Sequence, residues 1–432
     1  MTNWQTCSLG ELLEIKHGYA FKGEYFSDNG KFILLTPGNF LERGGIKLKG
    51  DKEKYYLGAF PEEFLLRRGD LLVAMTDLTQ SAPILGSPAF VPDDGRFLHN
   101  QRLGKIVNLK QCRISSEFLF YLLSLSSVRD QIKAGATGAT VRHTSPSRIY
   151  DVEVLLPPLP IQRRIAGILS AYDDLIENSQ RRIKILEEMA RRLYREWFVH
   201  YRFPGHEGCR FVESPLGEIP EEWEVKRLGE VTTKIGSGAT PKGGKGAYKT
   251  EGIHLIRSLN IYDYSFQFDN LAFIDEDQAA GLDNVRVQQN DVLLNITGAS
   301  VARCAMVPSY LLPARVNQHV AIIRAAEAKV SPHYLLDAIN SDFHKQQLLS
   351  YAQGGATREA LTRETISGFE IVVPPTLVMS SYAGVASGIH LQRETLTRQV
   401  QNLRRTRDLL LPRLLSGQID VEALPEPGLT EP

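Results

Sequence analysis

The chain is written twice. Trp4, Leu9, Gly10 and Glu11 return as Trp223, Leu228, Gly229 and Glu230, displaced by 219 residues (223 − 4). Asp70-Leu71-Leu72 returns as Asp291-Val292-Leu293 at 221 (291 − 70). Gly138-Ala139-Thr140 and Pro157-Pro158 return as Gly355-Ala356-Thr357 and Pro374-Pro375, the last pair at 217 (374 − 157). In a chain of 432 residues a repeat of this size takes up the whole molecule. Solenoids repeat every 20–50 residues or so, roughly a fifth of this spacing or less. The pattern is therefore a duplicated module, and two similar modules on one chain suit two similar ligands.

Length allows two or three domains, each with its own core. An apolar fraction of 43% with 23% charged residues describes an ordinary globular protein. No stretch reaches the roughly 18 apolar residues of a membrane helix. Met1-Thr2-Asn3-Trp4-Gln5 has no basic start or apolar run, so secretion is not expected. Cys7, Cys112, Cys209 and Cys304 are scattered, which suits reduced thiols in a cytoplasmic protein. Net charge is zero, which excludes a wholly basic coat but permits one local basic face.

Each half has two textures. Residues 1–156 are rich in turn residues, with strand-length apolar runs at 31–35, 70–75 and 103–107. A helix is predicted over about 116–133, where Phe118, Tyr121, Leu122, Leu125 and Ile132 share a face. Residues 204–373 repeat this, with strands at 253–256, 291–296 and 320–323. The matching helix, about 332–350, is opened by Ser331 as N-cap and Pro332 in the first turn.

After Leu159-Pro160 the texture changes, and Gly167 is the lone Gly or Pro before Pro204. Apolar residues fall at Ile161, Ile165, Ile168, Tyr172, Leu175, Ile183, Leu186, Met189, Leu193 and Trp197, spacings of a long helical stripe. The stripe recurs at Met379, Tyr382, Ala386, Ile389, Leu396, Val400, Leu403, Leu410 and Leu414. About 40 residues at about 1.5 Å each make a rod of about 60 Å. A core helix of one domain gives the same stripe, yet average helices have about 11–12 residues. Two such helices without local partners most simply pair antiparallel, with one globule at each end and a pseudo-twofold between them. The expected fold class is α+β: mixed globules at 1–156 and 204–373, spacer helices at 157–203 and 374–432.

Active-site motifs fail. Gly244-Lys245 lacks the first glycine and the hydroxyl of a phosphate-binding loop, and Pro241 replaces the third glycine of a dinucleotide fingerprint. His200, His206 and Cys209 lack a fourth zinc ligand. Leu156 and Val373 stand before the Pro-Pro pairs, where an amino-methyltransferase needs Asn or Asp. No catalytic centre and no metal site is expected in this chain.

Taken together, these residues resemble the specificity subunit of type I restriction–modification enzymes, over essentially the whole chain. The resemblance rests on Pro157-Pro158-Leu159-Pro160-Ile161-Gln162, Tyr194-Arg195-Glu196-Trp197-Phe198 and Leu414-Leu415-Ser416-Gly417-Gln418-Ile419-Asp420-Val421. Gly238-Ala239-Thr240-Pro241, Gly69-Asp70-Leu71-Leu72, Asn290-Asp291-Val292-Leu293-Leu294 and the pairs Asn100-Gln101 and Asn317-Gln318 add to it. It implies two target-recognition domains, each reading part of a bipartite double-stranded DNA site, spaced by conserved helices. It also implies a non-catalytic chain that docks two modification subunits and two restriction–translocase subunits. S-adenosylmethionine, ATP and magnesium belong on those partners. Where the family commonly has Glu-Gln after the proline joint, this chain has Ile161-Gln162, and the second copy, Val378-Met379-Ser380, has no glutamine. That departure questions whether the two docking surfaces are equivalent.

Reading DNA needs phosphate contacts and separate base contacts. Candidates in the first globule are Lys47, Lys49, Lys52 and Lys54, near Arg43 and the Gly44-Gly45 pair. The second globule offers Lys242, Lys245 and Lys249 among Gly243, Gly244 and Gly246, with Arg257 beyond. Glycine lets backbone approach phosphate, and lysine supplies charge. Solvated surface loops account for any single lysine equally well. Thr140, Arg142, Arg148, Thr357, Arg358 and Arg363 are further phosphate candidates. Asn100, Gln101, Asn317 and Gln318 recur in both copies and are expected to hold the fold. Gln162, Arg163, Arg181, Arg182, Arg191 and Arg192 are candidates for partner docking, although mixed helix charge commonly marks a solvated face. Rival readings are a recognition chain serving a fused nuclease–methylase, a two-headed protein scaffold without DNA, and a self-contained nuclease or methylase.

Overall fold

The computed structural model describes residues 4–353 and 360–423. They form two compact units: one runs to Glu177 and resumes at Gln401, the other runs from Asn178 to Val400.

The first unit carries a globule of two four-stranded sheets. One sheet is antiparallel, in the order Glu14–His17, Leu103–Val107, Leu71–Ala74, Pro88–Phe90. The other has the order Phe26–Ser27, Tyr55–Tyr56, Phe32–Leu35, Phe97–His99, with the last two strands parallel. Gln5–Ser8 pairs antiparallel with Glu153–Leu156, which ties the start of the globule to the proline joint.

The second unit repeats this plan. Its antiparallel sheet runs Thr232–Ser237, Val320–Ala325, Val292–Asn295, Cys304–Met306. Its other sheet runs Ala272–Ile274, Ile253–Ile256, Ala314–Val316, Arg286–Val287, with the two middle strands parallel and the fourth strand on the opposite edge from that in the first unit, and Glu224–Arg227 closes on Glu370–Val373. The repeat first seen in residues is thus also a repeat of strand order. Val73, Leu72 and Leu103, like Leu293, Leu294 and Ile322, are buried to 1% exposure or less, so these runs read as continuous apolar stretches.

Each single helix expected at 116–133 and 332–350 is two helices. Ser116–Ser124 gives way to Ser126–Ala134 through Leu125, and Pro332–Asn340 to Asp342–Gln353 through Ser341; both joints are extended. The apolar spacing continues across each joint, so periodicity alone cannot reveal the break. Ser331 does cap the second-copy helix, accepting from His333 N, with Pro332 in its first turn.

The long helices are Leu159–Tyr194, of 36 residues, and Thr376–Leu415, of 40. The first ends in a π turn, Arg195–Val199. Trp197 and Phe198 are adjacent yet both buried, which the wider i→i+5 turn accommodates. The second ends with Gln418 N donating to Arg413 O (2.9 Å) and Gly417 at φ +72°, a Schellman closure.

Within the first unit, Ile165, Ala166 and Leu169 share one core with Leu414, Leu415 and Val421. Within the second, Leu186 and Ala190 pack with Ile389 and Leu396. In each unit, then, an early helix segment packs with a segment of the late helix. Leu175 and Met189, assigned to the packing stripe from the sequence, are about half exposed instead, at 50% and 48%.

Gln162 is fully buried and stitches the proline joint to its globule. Its Oε1 accepts from Ser115 N (3.0 Å), and its Nε2 donates to Arg113 O (2.7 Å) and Pro157 O (2.8 Å). A side chain so engaged is withdrawn from any docking surface. Met379, its counterpart at 217 (379 − 162), is buried in the second core. The missing glutamine thus changes an internal contact. Gln162→Ala leaves one buried and two part-buried backbone groups without this partner and should cost about 2–3 kcal/mol. Chemical denaturation of the full chain checks this; a loss under about 0.5 kcal/mol would contradict the stitch.

Candidate nucleic-acid interface

The basic loop of the first globule is built around a buried carboxylate. Glu53 accepts from Asn39 Nδ2 (3.0 Å) and from the Lys49 amide, and Asn39 Nδ2 also reaches Lys47 O (3.4 Å). Lys49 Nζ donates to Thr36 Oγ1 (3.2 Å) and Asn39 Oδ1 (3.0 Å), and burial pulls its pKa down against the opposing pull of Glu53. Lys49 is therefore an internal brace of this loop. Lys47 and Lys52 are exposed without an intrachain ion pair among the described residues, and Lys54 lies over the Phe26 ring at 5.6 Å. Arg43 pairs with Asp408 of the late helix segment.

The same frame recurs in the second globule. Asn260 Nδ2 donates to Gln267 O (3.0 Å), and its Oδ1 accepts from Arg257 N (3.0 Å). Arg257 stands where the first copy has Thr36, at 221 (257 − 36). Its guanidinium donates to Asn270 O and stacks on Tyr248 at 5.2 Å, so it too is largely spent inside. Lys249 pairs with Asp275 (3.4 Å). Lys242 and Lys245 are exposed without an ion pair among the described residues, and Gln278 holds the Lys242 backbone through its amide and carbonyl, each at 3.0 Å.

Of the remaining candidates, Thr140 is exposed on a loop closed by mutual hydrogen bonds between Thr137 and His143. Gly138 is required there: its φ is +97°, and a Cβ would lie 1.9 Å from Val141 O. Arg142 donates to Lys133 O (2.9 Å) and Arg148 to Thr137 Oγ1 (3.1 Å), so both brace the loop. Arg363 is exposed and lines a groove of about 440 Å³ with Lys234, Ser237 and Asn284. Thr357 and Arg358 lie outside the described residues.

On the first long helix Arg163, Arg181 and Arg182 are exposed. Arg192 pairs with Glu188 (2.8 Å), and Arg191 lies over Tyr264 at 5.2 Å. Arg182, Ile185, Met189 and Arg192 fall on one helical face, with Ile185 59% exposed.

Sequence reasoning missed the polar contacts that join globule to helix. In the first unit Tyr121 OH donates to Asp173 Oδ2 (2.7 Å), and Arg407 pairs with the same carboxylate. Burial first, then Asp173, pushes the Tyr121 phenol far up, so it stays a donor. In the second unit the carboxylate is Asp337, fully buried, accepting from Tyr382 OH (2.6 Å) with His390 Nε2 at 3.2 Å. No spacing rule pairs residues this far apart. Among the described residues no group of three His, Cys, Asp or Glu could hold a metal, and no helix is long and apolar enough to cross a membrane.

The family model described as "Type I restriction modification DNA specificity domain" matches residues 1–188. The HindI specificity subunit of Haemophilus influenzae is 22% identical, over 97% of this chain and the whole of that one. The chain thus resembles the type I restriction enzyme specificity subunits, and residues 1–188 match the model of their DNA specificity domain. The MjaIX specificity subunit of Methanocaldococcus jannaschii is 26% identical over 72% of this chain and 71% of its own. The EcoBI specificity subunit of Escherichia coli is 25% identical over 77% of this chain and 66% of its own. The S subunit of a type I system from M. genitalium shares the fold, with a TM-score of 0.64 at 14% identity over 96% of each chain.

The basic candidates thus divide into braces and free cations. Lys49→Ala should cost about 1–2 kcal/mol through the lost bonds to Thr36 and Asn39. Lys52→Ala and Lys245→Ala should stay within about 0.5 kcal/mol of wild type in the same denaturation experiment. Equal losses at all three positions would refute the division.

Proposed function

We propose that this chain is the non-catalytic DNA reader of a type I restriction–modification complex. Each globule reads one half of an asymmetric bipartite site, and the long helices set the unread gap and dock methyltransferase subunits. Two modification subunits and two restriction–translocase subunits complete the complex, carrying the S-adenosylmethionine, ATP and magnesium chemistry. The observation that carries this reading is a duplicated strand order with different side chains at matching loop positions: Lys47 against Gln267, Arg102 against His319. One frame with two sets of loop chemistry suits two unlike half-sites. Exposed Lys47, Lys52, Lys242 and Lys245 supply phosphate contacts. The face of Arg182, Ile185, Met189 and Arg192 joins exposed apolar side chains with cations, a composition that suits a protein partner.

A 36-residue helix is about 54 Å long, which spans at most about 16 base pairs. Inserting four residues in the first long helix adds about 6 Å. It should lengthen the tolerated spacer and leave both half-sites as they were, read by methylome sequencing of a host carrying the variant. Altered half-sites with a fixed spacer would refute the role given to the helices. DNA retention should also fall by several decades between about 50 and 200 mM salt; a protein scaffold would retain no DNA at either.

A further inference from the structure

Both globules present a glutamine from a turn locked on every side. In the first, Asn100-Gln101-Arg102 links Phe97–His99 to Leu103–Val107; in the second, Asn317-Gln318-His319 links Ala314–Val316 to Val320–Ala325. The asparagine braces the turn from within: Asn100 Oδ1 accepts from Arg102 N (2.9 Å) and Asn317 Oδ1 from His319 N (3.2 Å). The third residue is tied to a neighbouring strand, since Met75 N donates to Arg102 O and Ile296 N to His319 O, both at 3.0 Å. A glycine completes each lock. A Cβ on Gly18 would lie 2.1 Å from Asn100 O, and one on Gly238 would lie 2.1 Å from Val316 O and 2.2 Å from Asn317 O.

The glutamine side chains take no part in these locks. Both are exposed. Gln101 makes no side-chain hydrogen bond among the described residues, and Gln318 Nε2 meets His319 Nε2 at 3.1 Å. The expectation that both members of each pair hold the fold is met by the asparagines and not by the glutamine side chains.

The surroundings of each tip say what it faces. In the first globule Tyr19 N donates to His99 O (2.8 Å) and Gln101 N to Tyr19 O (3.0 Å), which brings residues 17–22 alongside. Thr144 N donates to Met75 O (2.9 Å) and Thr76 Oγ1 meets His143 Nδ1 (3.0 Å), which brings in 137–143. Residues 17–22, 100–102 and 137–143 contain Lys22, Arg102 and Arg142 and no Asp or Glu. Asp77, the nearest carboxylate in that strand, is buried and accepts from Thr79 N (2.9 Å) and Ile84 N (2.7 Å). In the second globule residues 236–246 and 317–319 carry Lys242, Lys245 and His319, again without Asp or Glu. Segments rich in glycine and cations fit a polyanion better than a protein surface.

We propose that Gln101 and Gln318 are sequence-independent anchors, each donating its carboxamide N–H to a backbone phosphate oxygen at the equivalent place in its half-site. A residue common to two readers of unlike sequences must contact what those sequences share, and that is the phosphate. The inference rests on the DNA-reading function proposed above.

The test uses the full-length chain and duplexes that the wild type selects from a random-sequence pool, beside unselected duplex. Gln101→Ala and Gln318→Ala should each weaken binding about threefold to tenfold, the worth of one hydrogen bond. The factor should be the same on selected and unselected DNA, with base preferences at both half-sites unchanged. Gln101→Lys, which adds a cation at the phosphate, should steepen the dependence of log affinity on log salt by about one. A changed base preference at one half-site would make the glutamine a base reader and overturn the proposal. So would unchanged DNA affinity with weakened capture of the methyltransferase subunit, which would mark a protein contact. If the wild type retains no duplex at about 50 mM salt, the DNA-reading function itself fails. That outcome is distinct, because it appears before any variant is compared.

Discussion

Everything here depends on burying one face of two very long amphipathic helices. A helix of 36 or 40 residues cannot leave an apolar stripe in water, and neither helix has a partner close in sequence. The chain solves this in pieces. Ile165 and Leu169 find Leu414 and Leu415 in one unit, and Leu186 and Ala190 find Ile389 and Leu396 in the other. Each unit is therefore closed by residues more than two hundred positions apart, so neither half of the repeat covers its own helix alone. At about 25 cal/mol per Å² of apolar surface, a handful of such side chains outweighs the surface ion pairs along the rods.

The duplication has kept geometry and replaced chemistry. Tyr121 and Asp337 hold matching places, 216 apart (337 − 121), and so do Asp173 and His390, 217 apart (390 − 173). In one copy the helix supplies the carboxylate and the globule the phenol; in the other the globule supplies the carboxylate, and the helix supplies a phenol and an imidazole. Gln162 and Met379 show the same freedom: one stitches by hydrogen bonds, the other by apolar packing. A buried polar group must be satisfied, but the fold does not dictate which side satisfies it. Once one partner changes, the other must follow, because a lone buried carboxylate is costly.

This explains what the sequence made legible. Strand runs, the proline joints, the Ser331 cap and the long helices are local or periodic, and the repeat allowed each to be checked against its twin. The breaks at Leu125 and Ser341 were invisible because apolar spacing runs straight through them. Leu175 and Met189 were misplaced because a helix that is apolar on two faces has no single stripe to read. Contacts such as Tyr121 with Asp173, or Arg43 with Asp408, join residues whose separation carries no rule.

The candidate interface was the least legible part, for a physical reason. Lys49 and Lys52 are alike in a sequence, three positions apart on one loop. What separates them is Glu53, whose buried carboxylate organises Asn39 and the Lys49 backbone so that one ammonium turns inward. Arg257 is drawn in the same way by Asn270 and Tyr248. Loops that differ between the two copies need a rigid frame beneath them, and the braces supply it. Cations spent on the frame and cations left for a ligand are chosen from the same residue types, so composition and spacing cannot sort them. Only the carboxylates and carbonyls beneath them can.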